Sequence, residues 1–209
     1  MHDDTGGIVT DAEAAGTIRQ TDFHDEREFQ SVNFSEMDLT EQTFENCTFV
    51  KCRFLNMTIA SASFQDCVFE ECEIVVVKLH GVALSNTVFK LSLIRGVNFS
   101  DCSDFGFSPE FHGCVINHCV LDRKKLRKGV FAGSQLADCD LIACDFREVD
   151  FSNTTFARVN IQDCNFEKAD FRTSTGYVMN PATNKVRGAR FSLPEAQSFL
   201  LLLGIRLEK

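Results

Sequence analysis

The sequence predicts an all-β chain wound as a coil of short extended segments and corners, and three observations carry that expectation. Large apolar residues recur every five positions: from Phe29 each stop through Phe99 is Phe, Leu or Ile. After a two-residue change of phase the stops resume at Phe111 and run through Phe171, 28 in all without a miss. At 44% apolar composition, chance produces such a run with a probability of roughly ten to the minus ten. The position two before a stop mostly takes small side chains such as Val32, Ala62, Val82 and Ala169, and all ten cysteines fall there if Asp104 counts as a stop. Finally, 21 Phe stand against one Tyr and no Trp, so one flat apolar shape is used repeatedly.

A helix buries residues three and four apart and a half-buried strand buries alternate ones, so neither template fits. Two inward positions in every five, separated by two, suit a short extended segment followed by a corner, because side chains alternate along extended backbone. The flanking positions are polar, as in Asn33, Asp38, Asp140, Asp150 and Asn165. One side of the wall is dry and the other wet.

The elements follow in order. Residues 1–22 lack the repeat and hold Gly6, Gly7 and Gly16 among acids, which predicts a flexible acidic tail. Residues 23–173 are the coil, with irregularities at 103–110, where Gly106 and Pro109 signal a bulge or kink, and at 122–128. In the second of these Lys124 falls in an inward slot. Lysine is almost never fully buried unpaired, so the turn is expected to bulge or Lys124 to snorkel outward. Residues 174–209 read as a linker, a capping helix and a dimerisation segment. Ser192 is the expected N-cap, with Pro194 in the first turn, Glu195 closing a capping box and Gly204 ending the helix. The helix is apolar nearly all round, so one side is expected to close the coil and the other to meet the same helix of a second copy through Phe199, Leu201, Leu202, Leu203 and Ile205.

Blocks such as Cys144-Asp145-Phe146-Arg147-Glu148, Val149-Asp150-Phe151-Ser152-Asn153 and Ala169-Asp170-Phe171-Arg172-Thr173 resemble the pentapeptide repeat family. That resemblance implies a right-handed quadrilateral β-helix with four blocks per turn. The 28 stops would make seven turns, about 34 Å long at the usual strand spacing. Residues twenty apart, such as Phe29, Phe49, Phe69 and Phe89, would then stack. The tail sharpens the likeness. Gly176-Tyr177-Val178-Met179-Asn180-Pro181 and Ala189-Arg190-Phe191-Ser192-Leu193-Pro194-Glu195-Ala196 resemble the C-terminal tails of pentapeptide proteins that confer albicidin resistance or microcin immunity. The arrangement is more distantly similar to the plasmid quinolone-resistance proteins. The resemblance implies a homodimer joined through the C-terminal segment. It also implies a DNA mimic that binds DNA gyrase, at the DNA gate of the A subunit, and rescues the enzyme from poisons.

Net charge of −9 and a pI near 5.0 argue against direct binding to nucleic acid or an anionic membrane. No apolar run approaches the ~18 residues of a membrane span. Ten cysteines behind a start that is no signal peptide predict a cytoplasmic location. Residues 31–184 carry 20 acids and 14 bases; without the five bases of residues 123–128 the balance is −11, read as spread along the rod. If the change of phase leaves the sides in place, the side through Leu39, Ile59, Leu79, Phe99, Leu121, Leu141 and Ile161 presents Asp38, Glu41, Asp101, Asp122, Asp140 and Asp163 against Lys78 and Arg123. A rigid acidic rod of nearly duplex width suits a basic DNA-binding groove. Arg123, Lys124, Lys125, Arg127 and Lys128 are a second contact candidate, as a loop meeting an acidic patch.

Catalytic and metal chemistry are not expected. Cysteines five apart, such as Cys47 and Cys52, would sit on adjacent sides rather than converge on one ion. His80, His112 and His118 follow no nucleophile setting, and no phosphate-binding glycine loop is present. The rival readings are a non-catalytic interaction scaffold with an unrelated partner, favoured by the basic cluster, and a thiol-based metal or redox store.

Overall fold

Each five-residue block folds alike because each of its positions has one role. In Cys67-Val68-Phe69-Glu70-Glu71, Cys67 and Phe69 point inward and are buried, Val68 and Glu70 face outward, and Glu71 turns the corner at φ 52°. The corner N–H donates to a carbonyl of the next turn, as from Glu71 to Lys90 at 2.9 Å. The computed structural model describes residues 7–205, and these wind as a four-sided parallel solenoid of about nine turns. The seven turns expected from the repeat alone fall short because both flanks join the coil.

The in-register ladders place residues twenty apart on one another, with 22 across the turn that holds the change of phase. One side stacks nine phenyl rings, Phe29, Phe49, Phe69, Phe89, Phe111, Phe131, Phe151, Phe171 and Phe191, with successive centroids 4.5–5.3 Å apart. Neighbouring sides meet this column edge to face, as Phe49 meets Phe54 at 5.9 Å. Both geometries are those aromatic rings favour.

The small slot has a further demand. Its side chain donates to the carbonyl of the large residue one turn back: Cys52 Sγ to Phe29 at 3.2 Å, Cys72 Sγ to Phe49 at 3.2 Å, Thr87 Oγ1 to Phe64 at 2.9 Å, Ser174 Oγ to Phe151 at 2.6 Å. Cys, Ser and Thr recur there because they are small and carry a donor. Burial pushes the thiols of Cys102 and Cys114 up to about 12 and about 11, which suits packing and not reactivity. All ten cysteines are buried and unpaired by disulfides.

The N-terminal segment departs from expectation. Residues 1–6 lie outside the described residues, but the remainder of the expected tail is ordered. Strand β1 (Ile8–Thr10) adds a rung below Phe29, with Val9 in register, and α1 (Asp11–Gln20) lies against the end of the coil and buries Ala14 and Ile18. The Glu13 carboxylate accepts from the N–H and hydroxyl of Thr10, fixing the helix start. An open coil end exposes a rung of apolar side chains, and this segment covers it.

At the other end residues 174–191 complete another turn, with Tyr177, Met179 and Asn184 buried and Arg190–Phe191 pairing with Asp170–Phe171. Gly176 sits at φ 73°, where a Cβ would come within 2.3 Å of the Phe156 carbonyl oxygen. Helix α2 (Gln197–Leu202) is shorter than expected, and its N-cap is Ala196 rather than Ser192. Glu195 closes no capping box: its carboxylate accepts the Gly176 N–H at 3.1 Å and ties the tail to the coil. Gly204, at φ 76°, does end the helix, with the Ile205 N–H bonded to the Leu200 carbonyl. Residues 206–209 lie outside the described residues.

Lys124 neither bulges nor snorkels outward. Its side chain is 2% exposed, and Nζ donates to the Asp104 carboxylate at 2.6 Å and the Cys102 carbonyl at 2.8 Å while lying 4.8 Å from the centre of the Phe107 ring. The two extra residues form a loop that reaches back to supply those partners, so the ammonium is buried but paired.

Two outcomes follow from this packing. Val76 is a half-exposed, β-branched residue at a left-handed corner with φ 55°. Val76→Asn, the residue type already at Asn46, Asn56 and Asn86, is expected to stabilise by about 1 kcal/mol, a thermal midpoint about 2–4 °C higher. His24 is the first rung of its side, stacked on Phe44 at 4.8 Å, with Nε2 donating to Gln42 Oε1 and Nδ1 without a partner. Burial lowers its pKa and the nearby Arg27 charge adds to this, outweighing the raising effects of the Gln42 bond and Asp22. The unfolded chain therefore binds more protons, so stability is full above the ordinary histidine value of about 6.5 and is lost as pH falls below it. The drop in thermal midpoint from pH 7.5 to 5 is expected to shrink in His24→Phe.

Candidate partner-binding surface

The side expected to carry the acidic residues is assembled as anticipated. Leu79 lies over Ile59, the bridge between Asn98 and Val120 sets Phe99 beside Leu121, and Leu141 and Ile161 follow in register. The extra residues sit on the side through Phe44, so the phase change moves no block to another side. Asp38, Glu41, Asp101, Asp122, Asp140 and Asp163 therefore share one side, and Asp38, Glu41, Asp101 and Asp163 are exposed.

They do not form an unbroken strip. Thr58, Ala60, Ser61, Lys78 and His80 separate Glu41 from Asp101. Asp122 is half-buried and held by Arg123 at 2.7 Å, and Asp140 accepts from the Asn160 amide at 2.9 Å. Asp38 closes a local turn: the Thr40 hydroxyl and N–H hold its carboxyl below the usual range, and Oδ1 accepts that N–H at 2.9 Å. Asp145, Asp150 and Asp170 do the same for residues two further on. Many carboxylates one before a large residue thus shape turns as well as charge the surface.

The charge is also distributed differently from expectation. Residues 8–101 hold 15 acids and 7 bases, whereas residues 102–205 hold 12 of each. The surplus lies on the first half of the rod and is not spread along it. In the second half arginines take up the carboxylates: Arg127 binds Glu148 at 2.7 Å, Arg158 binds Asp138 at 2.6 Å, and Arg172 and Arg190 both bind Asp170 at 2.8 and 2.9 Å. The Arg172 guanidinium holds the Asp170 carboxyl well below the usual carboxylate range. In the first half Asp25, Glu26, Glu45, Asp66, Glu70 and Glu71 stand on the Phe44 and Phe29 sides, away from the side expected to carry the contact. A count of charges by half-chain would have found them.

Of the basic cluster, Arg123, Lys125, Arg127 and Lys128 are exposed, whereas Lys124 is sealed inside against Asp104. Beside the cluster the loop of extra residues carries Phe105 at 89% exposure. At the C-terminal end Leu201, Leu202, Leu203 and Ile205 are exposed. Phe199 instead packs on its own coil, 4.8 Å from Phe191 and 5.9 Å from Tyr177, so it caps the last rung rather than facing outward. Among the described residues no three His, Cys, Asp or Glu side chains come together to hold a metal, and no helix is long and apolar enough to cross a membrane.

Comparison with known proteins places this geometry in a family. The pentapeptide repeat region matches residues 17–103 and the eight-copy pentapeptide repeats match residues 134–172. No curated protein matches the chain. Among solved structures it is similar to full-length QnrB1, a plasmid-mediated fluoroquinolone resistance protein, at 17% identity and TM-score 0.43 over 88% of this chain and 90% of that one. It is similar to HetL, involved in heterocyst differentiation regulation in the cyanobacterium Nostoc, at 12% identity and TM-score 0.43 over 82% and 86%. A pentapeptide repeat protein of the Arabidopsis thaliana thylakoid lumen matches at 20% identity and TM-score 0.27 over 64% and 61%. With the two repeat matches together spanning more than half its length, and the ladders running at the twenty-residue interval that four such blocks make, the chain belongs to the pentapeptide repeat family.

Proposed function

We propose that this protein imitates duplex DNA, binds DNA gyrase at the DNA gate of its A subunit, and protects the enzyme from topoisomerase poisons without making or breaking a bond itself. The observation that carries the reading is the acidic surplus on the first half of a rigid rod. Stacked rings and in-register ladders hold those carboxylates on a frame rising about 4.8 Å per turn. A groove built for phosphates gains from them the same charge complementarity it gains from DNA. The rod competes with the gate segment, which favours release of poison-trapped enzyme. The resemblance of the tail to resistance and immunity proteins points the same way. The exposed face of α2 supports a homodimer across a twofold axis at the C-terminal end, and ten free buried thiols fit a reducing cytoplasm.

The test is poison-stabilised DNA cleavage by purified gyrase, which is expected to fall as this protein is added at micromolar concentration. No change in cleavage or supercoiling would end the gyrase reading. Replacing Glu26, Glu45, Glu70 and Glu71 together by Gln is expected to raise the half-effective concentration about tenfold, equivalent to about 1.4 kcal/mol. Asp140→Asn with Asp163→Asn is expected to change it less than about threefold, since exposed charges outside the contact contribute little. Leu201→Ser with Leu202→Ser is expected to halve the mass measured by light scattering while leaving the thermal midpoint of the coil in place.

A further inference from the structure

The Phe44 side carries opposite charge on its two halves, and the loop of extra residues divides them. Four rungs precede the loop, centred on His24, Phe44, Phe64 and Leu84, and four follow it, centred on Leu126, Phe146, Phe166 and Val186. The outward and corner positions before the loop hold Asp25, Glu26, Glu45 and Asp66 with no base, a net of −4. Those after it hold seven bases and three acids, a net of +4. A twofold axis crossing the loop at right angles to the rod turns this side onto itself antiparallel. Asp66 then faces Arg147, Glu45 faces Lys168, and Asp25 and Glu26 face Lys185 and Arg187, at two, three and four rungs from the axis.

At that axis the loop is built to hold one side chain out. Phe107 turns inward, the Asn86 N–H donates to Ser108 Oγ at 2.8 Å, and Lys124 clamps Asp104 from the following rung. Gly106, at φ 68°, lies where a Cβ would come within 2.5 Å of Ser85 Oγ, so the loop is pressed onto the rung beneath. A buried ammonium carries a desolvation penalty that a cysteine or valine in the same slot avoids. What the lysine adds is a fixed loop, and what the loop presents is Phe105. Beside it lies a cleft of about 310 Å³, with Val88, Phe107, Pro109, Leu126, Lys125 and Arg127 among its lining. Such a cleft takes a phenyl ring by apolar burial and cation–π contact.

We infer that a second copy of this chain docks side by side and antiparallel on the Phe44 side, with Phe105 of each copy seated in the cleft of the other. The contact is one side wide and nine rungs long with the loop's own, below the size of a standard stable interface, so the association is weak and salt-sensitive. It is distinct from the end-to-end joint through α2 and does not depend on gyrase binding. The α2 joint leaves Glu45 more than ~30 Å from Lys168 of the partner subunit at the usual rung spacing.

Mixing full-length Glu45→Cys and Lys168→Cys proteins in a glutathione redox buffer tests it. At 50 mM salt a disulfide-linked heterodimer is expected from the mixture and from neither variant alone. Adding Phe105→Ser to both, or raising salt to 0.5 M, is expected to lower the yield about tenfold. Adding the compensating swap of Asp25→Lys, Glu26→Lys, Lys185→Glu and Arg187→Glu to both is expected to keep it, whereas either half of the swap alone lowers it. Yield no greater than that from Ser61→Cys, a corner on the Leu39 side, overturns the inference. It also falls if Phe105→Ser leaves the yield unchanged, including where that variant weakens gyrase binding instead, since the loop then serves another protein.

Discussion

Nine phenyl rings stacked in one column set the terms for everything else in this molecule. A ring lies flat on the ring one turn below only if every turn advances by one strand spacing and returns to the same side, so the column admits no drift in register. That requirement explains the left-handed corners, which non-glycine residues adopt at 22 positions among the described residues despite their intrinsic disfavour. It explains the small donor slot as well, since a larger side chain there would push the rings off their centres and a side chain without a donor would leave a carbonyl less well satisfied.

The same constraint shows what an insertion must do to survive. Two extra residues on one side cannot be absorbed into the column, so they leave the wall as a loop, and the ladders resume at an interval of 22. The wall one turn after the loop then contains Lys124 where a cysteine or valine would otherwise stand. Its charge is tolerable because the loop itself brings Asp104 to meet it. Loop and lysine are one device: removing either leaves the other with an unpaired charge or an unanchored end.

A rigid frame also makes surface charge meaningful. On a mobile chain, carboxylates a few ångströms apart average into a diffuse field, whereas here each keeps its side and rung. The division into an acidic first half and a second half neutralised by arginine pairs is therefore a property of shape as well as composition.

The sequence by itself determined the repeat and the inward and outward positions, and the family resemblance added four blocks per turn, hence the stacking partners and sides up to Phe99. The repeat and the inward and outward positions follow from a local period that the chain repeats along most of its length. Thr10 and Glu13 also have capping-box spacing, but the surrounding glycines and acids outweigh that signal in the sequence. Only the tertiary structure decided that residues 8–10 and 174–191 extend the coil while residues 11–20 cover its start, that the blocks past the phase change keep their sides, that Lys124 is buried, that Phe199 caps while Leu201 faces outward, and which carboxylates arginine has claimed. Those outcomes depend on what lies twenty residues away in sequence and about 4.8 Å away in space, a neighbour that no local pattern names.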